Sequence, residues 1–130
     1  MILVDTTVWI DLFRNRETRE VVTLTALLEE GEDICTCGVI VTEVLQGIRD
    51  DREHARTRRA LEVLISLPMT HETFVRAAEI YRDLRKRGLT IRNSIDCMIA
   101  AVAIEHDVAL LHNDKDYSTI ATLGALKIRR

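Results

Sequence analysis

The sequence predicts an α/β fold, a three-layer α/β/α sandwich with a short, mainly parallel central sheet. Short apolar runs at Met1–Val4 and Val108–Leu111 read as strands, and helix-length amphipathic segments fill the chain between them. Short strands separated by helices imply crossover connections and hence parallel pairing. At 130 residues, with no linker, repeat or low-complexity stretch, residues 1–130 form one domain able to bury a sizeable core.

Taken in order, the expected elements are a strand over 1–5, a helix over about 7–14 for which Thr7 is a candidate N-cap, and a helix over about 18–30 closed by Gly31. A strand over about 33–37 follows, with Cys35 and Cys37 on one face. A helix over about 39–50 places Ile40, Val44 and Ile48 on one side, with Val41 and Leu45 beside them. Next come a helix over about 53–66, an extended piece around Pro68, and a helix over about 71–87 closed by Gly88. The chain ends with a helix over about 94–106, a strand over 109–112, a helix over about 115–122 with Gly124 behind it, and a strand over about 125–129.

Composition excludes several functions. Aromatic residues make up only 4% of the chain, so no row of rings exists to stack nucleobases, and a net charge of −3 argues against coating nucleic acid by charge alone. No apolar run approaches the roughly 20 residues of a membrane span. The opening MILVDTTVWI carries an acid at position 5 and no basic n-region, unlike a signal peptide, so a cytoplasmic location is expected. The three cysteines lack metal-finger spacing and read as small buried thiols, and the four histidines show no ligand spacing. There is no P-loop, Gly-x-Gly-x-x-Gly or Gly-x-Ser-x-Gly.

Acids carry the chemistry. Asp5 ends the first apolar run and Asp114 follows the second. Ligands of open α/β sheets bind at the carboxyl ends of the strands, so these two have a reason to meet. Asp96 is the only charge in the buried-helix segment Ser94–Ile104, where an uncompensated carboxylate would cost several kcal/mol, an order-of-magnitude figure. A cap at Asn93 in a box-like pair with Asp96 is the plainer account, compatible with metal binding. Glu43 projects at the rim of its helix's apolar arc, where a glutamate can also simply reach solvent. Asp116 is a further candidate. Clustered carboxylates are tolerated mainly when a divalent cation neutralises them, and oxygen-only ligands favour Mg²⁺ or Mn²⁺ over zinc. Such a site suits phosphodiester hydrolysis without a protein nucleophile. Thr7 is positioned to support it by hydrogen-bonding a carboxylate or a bound water.

Between Arg82 and Arg92 five basic residues face a single acid, Asp83, and this stretch leads into the Asp96 helix. Arg92, Arg85 and Arg87 are therefore expected to contact phosphates, the alternative being a solvated helix face. A second basic cluster is Arg52, Arg56, Arg58 and Arg59.

Together these residues resemble the PIN-domain ribonucleases. Asp5-Thr6-Thr7 after an N-terminal strand looks like their first motif, and Glu43-Val44-x-x-Gly47 is similar to the second, with Val44 where leucine is more usual. Ser94-Ile95-Asp96 opening an alanine-rich helix resembles the third. Asn113-Asp114-Lys115-Asp116-Tyr117 resembles the fourth, usually Asp-x-Asp-Phe or Tyr. The length and full-chain coverage resemble VapC toxins of type II toxin–antitoxin systems. The resemblance implies a Mg²⁺- or Mn²⁺-dependent endoribonuclease, homodimeric and blocked by a VapB-like antitoxin, with Asp5, Glu43, Asp96 and Asp114 as the acidic site. Asp116 would approach the metal or fix its loop. The rival readings are a phospho-receiver-like Mg²⁺-binding signalling domain, which would need adjacent acids after the first strand, and a catalytically idle PIN-like binding module.

Overall fold

In the computed structural model, which describes residues 1–130, four strands and seven helices alternate. They are β1 (Ile2–Val4), α1 (Thr6–Phe13), α2 (Arg19–Glu29), β2 (Ile34–Thr36), α3 (Gly38–Gln46), α4 (Asp51–Glu62), β3 (Ile65–Ser66), α5 (His71–Lys86), α6 (Ser94–Glu105), β4 (Ala109–Leu111) and α7 (Lys115–Ala121).

The strands form one parallel sheet in the order β3-β2-β1-β4. Ile2 pairs with Ile34 on one side and Ala109 on the other, and Leu3 with Cys35 and Leu110. Strands covered on both faces can be apolar at every position, which is why β1 and β4 read as unbroken aliphatic runs. Leu3, Val4 and Leu110 are fully buried, each contributing about 1.5–3 kcal/mol of transfer free energy. Right-handed crossovers put α1 to α4 on one face and α5 to α7 on the other. The packing agrees: α1 lies on α2 and α3, and α3 on α4, while α5 lies on α6 and α6 on α7.

From β1 the chain steps through β2 to β3, then reverses and crosses to the far side of β1 to make β4. The crevice beyond the carboxyl ends of β1 and β4 is therefore the topological switch point. Asp5 directly follows β1, and the His112-Asn113-Asp114 turn follows β4.

Several local expectations change. The segment over 125–129 is not a full strand: it makes a single parallel bridge, Leu110 to Ile128, in which Leu110 N–H donates to Lys127 O and Arg129 N–H to Leu110 O. The fourth strand is β3, in a stretch expected to continue the preceding helix. Helix α4 stops at Glu62, and Ile65 and Ser66 take backbone partners from β2. Leu67, disfavoured in α conformation by Pro68, continues this with its N–H donating to Thr36 O at 2.8 Å. The helix expected over 39–50 ends at Gln46, and α4 starts afresh with Asp50 as its cap. Gly31 (φ +73°) follows α2 in a Schellman arrangement: Glu32 N–H returns to Leu27 O and Gly31 N–H to Leu28 O.

Candidate metal centre

Asp5 is the N-cap of α1, the role Thr7 was expected to fill. The helix begins one residue early because the Asp5 carboxylate takes the Thr7 N–H on Oδ2 at 3.1 Å. The same oxygen accepts the Thr7 hydroxyl at 2.6 Å, and Oδ1 accepts the Tyr117 hydroxyl at 2.6 Å. Three donors thus hold a carboxylate that is only 2% exposed. Thr7 Oγ1 in turn accepts the Asn113 N–H at 3.1 Å, tying the end of β1 to the loop after β4.

Asp96 lies in the first turn of α6, with Asn93 as its cap through a bond from Ile95 N–H to Asn93 Oδ1 at 3.0 Å. The reciprocal half of a capping box is missing. Asp96 Oδ1 turns to the Tyr117 hydroxyl at 3.3 Å instead. Burial first, then the charges of Asp114 and Asp5, push the Asp96 carboxyl up to about 7, and the Tyr117 bond opposes them only in part. Tyr117 is fully buried, and its hydroxyl is raised far above its ordinary value by burial and by both carboxylates, so it remains a donor.

Asp114 caps α7, with Oδ1 accepting Asp116 N–H at 2.9 Å. One carboxylate oxygen from each of Asp96, Asp114 and Asp116 lies within 4.8 Å of the other two. Asp116 is 7% exposed, and its Oδ2 is buried with no hydrogen bond. Only the Arg92 Nε, at 3.5 Å and out of hydrogen-bond geometry, compensates it, while Arg92 Nη2 stands 3.7 Å from Asp114 Oδ1. His112 Nδ1 accepts the Asp114 N–H at 3.1 Å, and its ring packs on Tyr117. Burial lowers the His112 pKa, against the pull of Asp5 and Asp114.

Glu43 comes from the rim of α3, where Oε1 accepts the Thr6 hydroxyl at 2.7 Å. Asp5, Glu43, Asp96, Asp114 and Asp116 line one cleft of about 380 Å³, together with Thr6, Thr7, Arg92 and Asn93. The donor set fits a hard divalent cation: carboxylate oxygens converge without cysteine or histidine facing them, and a buried carboxylate oxygen lacks a proton donor. The tightest corner is Asp96, Asp114 and Asp116, so Asp116 belongs to the cluster's centre.

Arg85 and Arg87 do not line the cleft. Arg85 lies over the Tyr81 ring, 5.8 Å from its centroid, in the last turn of α5, and Arg87 is that helix's C-cap. Positive charge there also complements the helix dipole. The three cysteines are buried and unpaired with one another.

Sequence reasoning gives no separate part to Thr6, Tyr117, His112 or Asp11. Asp11 is buried, accepting Asn113 Nδ2 at 3.2 Å and facing Arg16 at 3.5 Å, and so anchors the loop that carries Asp114. An aspartate enclosed in the apolar run Val8-Trp9-Ile10-Asp11-Leu12-Phe13 is the available signal. Nothing in the sequence shows where the Tyr117 hydroxyl points.

The PIN domain family model matches residues 2–123. Ribonuclease VapC11 of Mycobacterium tuberculosis is 39% identical over 129 residues, covering 98% of this chain and 96% of its own. Ribonuclease VapC1 of Methanocaldococcus jannaschii is 30% identical, covering 98% and 85%. Among solved structures, a toxin–antitoxin complex from Klebsiella pneumoniae superposes with a TM-score of 0.74 at 21% identity, over 97% of this chain and 95% of that one. The phospho-receiver reading has no foothold, since the sheet lacks an aspartate after a central third strand: β3 is a two-residue edge followed by Leu67 and Pro68. The chain belongs to the PIN-domain family, among the VapC ribonucleases.

Proposed function

We propose that this chain is a Mg²⁺-dependent endoribonuclease, with Mn²⁺ as substitute, acting as the toxin of a toxin–antitoxin pair. The observation that carries the reading is the convergence of Asp5, Glu43, Asp96, Asp114 and Asp116 on one cleft at the sheet's switch point, with one Asp116 oxygen buried and unbonded. A divalent ion bound there supplies Lewis acidity that activates water and stabilises the leaving oxygen of a phosphodiester. Asp96, Asp114 and Asp116 hold it, Asp5 flanks them under the control of Thr7 and Tyr117, and Thr6 keeps Glu43 turned into the cleft. Arg92 supplies the positive charge for a substrate phosphate. Cleavage of purified RNA in Mg²⁺ or Mn²⁺, lost in EDTA and restored by metal, tests the proposal. A chain that binds RNA without cutting it under any of these conditions is an idle binding module.

The partner reading has its own support. A groove of about 390 Å³, with an apolar floor of Phe13, Val44 and Ile48 flanked by Arg14, Arg49, Asp50 and Glu53, shares Ile10 with the acidic cleft. An apolar antitoxin helix laid there would carry a basic residue to the carboxylates and block them. The purified complex with a VapB-like antitoxin is then inactive and binds Mn²⁺ poorly. The same proposal includes a homodimer and a cytoplasmic setting, where RNA is available. No helix is long and apolar enough to cross a membrane.

Arginine variants separate positioning from chemistry. Neutralising Arg85 and Arg87 together should weaken RNA binding and flatten its salt dependence by roughly one to two counterions, with saturated cleavage less affected. Arg92→Ala should lower turnover. It should also tighten Mn²⁺ binding, because the guanidinium now neutralises Asp114 and Asp116 in the ion's stead. Its side chain is 73% exposed, so losing the pair should change stability by less than about 1 kcal/mol. An unchanged salt slope in the double variant would leave Arg85 and Arg87 as surface charges and move attention to Arg52–Arg59.

A further inference from the structure

We infer that Tyr117 is a positioning residue for the metal centre: its buried hydroxyl clamps Asp5 and Asp96, from two different layers of the fold, in the arrangement that receives the ion. This rests on the proposed metal-dependent activity and adds a residue that carries no charge and ligates nothing.

Geometry makes the case. Tyr117 sits in α7, one residue beyond Asp116, and is fully buried. Its hydroxyl lies 2.6 Å from Asp5 Oδ1, at the end of β1, and 3.3 Å from Asp96 Oδ1, in the first turn of α6. A phenol has one proton, so the short contact to Asp5 takes the larger share and Asp96 the outer branch of a bifurcated bond. No other protein group donates to Asp96, whereas Asp5 has Thr7 on its second oxygen. The hydroxyl therefore sets the spacing of two carboxylates that would otherwise repel, while Asp96 also keeps one carboxylate oxygen within 4.8 Å of oxygens of Asp114 and Asp116. The ring is itself fixed, packed against His112, whose Nδ1 holds the Asp114 backbone. One aromatic side chain thus couples the orientation of three of the acidic residues.

A hydrogen bond to a charged group that pre-sets ligand geometry is carried into affinity for whatever those ligands bind. Tyr117→Phe keeps the ring and its packing and removes only the hydroxyl. The expected result is Mn²⁺ affinity, read by calorimetry without RNA, weaker by roughly tenfold. The kcat at saturating Mn²⁺ should be reduced, with KM for RNA unchanged. A stability measurement without metal gives a second readout. In EDTA, Asp96→Asn should raise the melting temperature more in the Tyr117→Phe background than beside the native tyrosine, because the unclamped carboxylates repel more. Mn²⁺ affinity equal to or tighter than that of the parent chain would overturn the inference, as would additive effects of the two substitutions on melting. A parent chain that shows no Mn²⁺ binding would instead overturn the proposed metal-dependent function, so the two failures are distinct.

Discussion

Asparagine at position 5, 96 or 114 should reduce metal-dependent RNA cleavage by roughly 10²–10³-fold or more, the range seen when one preorganised electrostatic group is removed from an active site. The three variants should part company in stability. Asp96 is half-buried, carries one long hydrogen bond and meets the charges of Asp114 and Asp5, so Asp96→Asn relieves more than it removes. Its melting temperature in EDTA should rise. Asp5 is different, because both its oxygens already accept from Thr7 and Tyr117. An amide there must turn its NH₂ toward a donor, and Asp5→Asn should cost about 1–3 kcal/mol. Asp114 is the N-cap of α7 and asparagine caps nearly as well, so Asp114→Asn should stay close to the parent. Cleavage assays with melts in EDTA check all three. Full activity in any variant would remove that residue from the acidic site, and a more stable Asp5→Asn would contradict the hydrogen-bond account.

Much of this site was legible in the sequence because the fold delivers it by topology. An apolar run closed by an acid, twice, is what two neighbouring parallel strands look like when their carboxyl ends face one crevice. Asp96 stood out because a lone charge in an apolar helix needs compensation wherever the helix packs. What could not be read depends on direction or on a partner. Ile65 and Ser66 have no periodicity of their own and become a strand only because β2 offers an edge. The segment around Ile128 looks more strand-like, yet it meets β4 at one residue. Thr7 and Asp5 are both good caps by composition, and only the folded structure has Thr7 donating to Asp5. Tyr117 in a seven-residue helix reads as core, which it is, but its function lies in the one polar atom at its tip. Arg92 sits four residues before Asp96 in sequence, yet the acids it faces are Asp114 and Asp116, brought to it from β4's far end.

Acid should loosen the metal while steadying the empty protein. Without metal the Asp96 carboxyl is held at about 7 against an ordinary 3.8, chiefly by burial and then by Asp114 and Asp5. Because the folded value is the higher one, the folded chain binds the extra proton between these two limits. The stability this contributes is fully present below the unfolded value and is lost as pH rises through the folded one. Asp96 is only half-buried, so solvent screening reduces the effect, and about 1–2 kcal/mol is expected between pH ~4 and ~7. Melts in EDTA should show the gap between the parent and Asp96→Asn widening in favour of the variant as pH climbs across that window. Metal must displace the same proton. Apparent Mn²⁺ affinity should therefore fall by up to about tenfold per pH unit below pH ~7 and level off above it. Calorimetry in buffers of different ionisation enthalpy counts that proton directly: close to one released per ion at pH ~6 and close to none at pH ~8. A count near zero at the lower pH would mean that Asp96 is already ionised beside its neighbours, and that another cation, with Arg92 the nearest, neutralises the cluster before metal arrives.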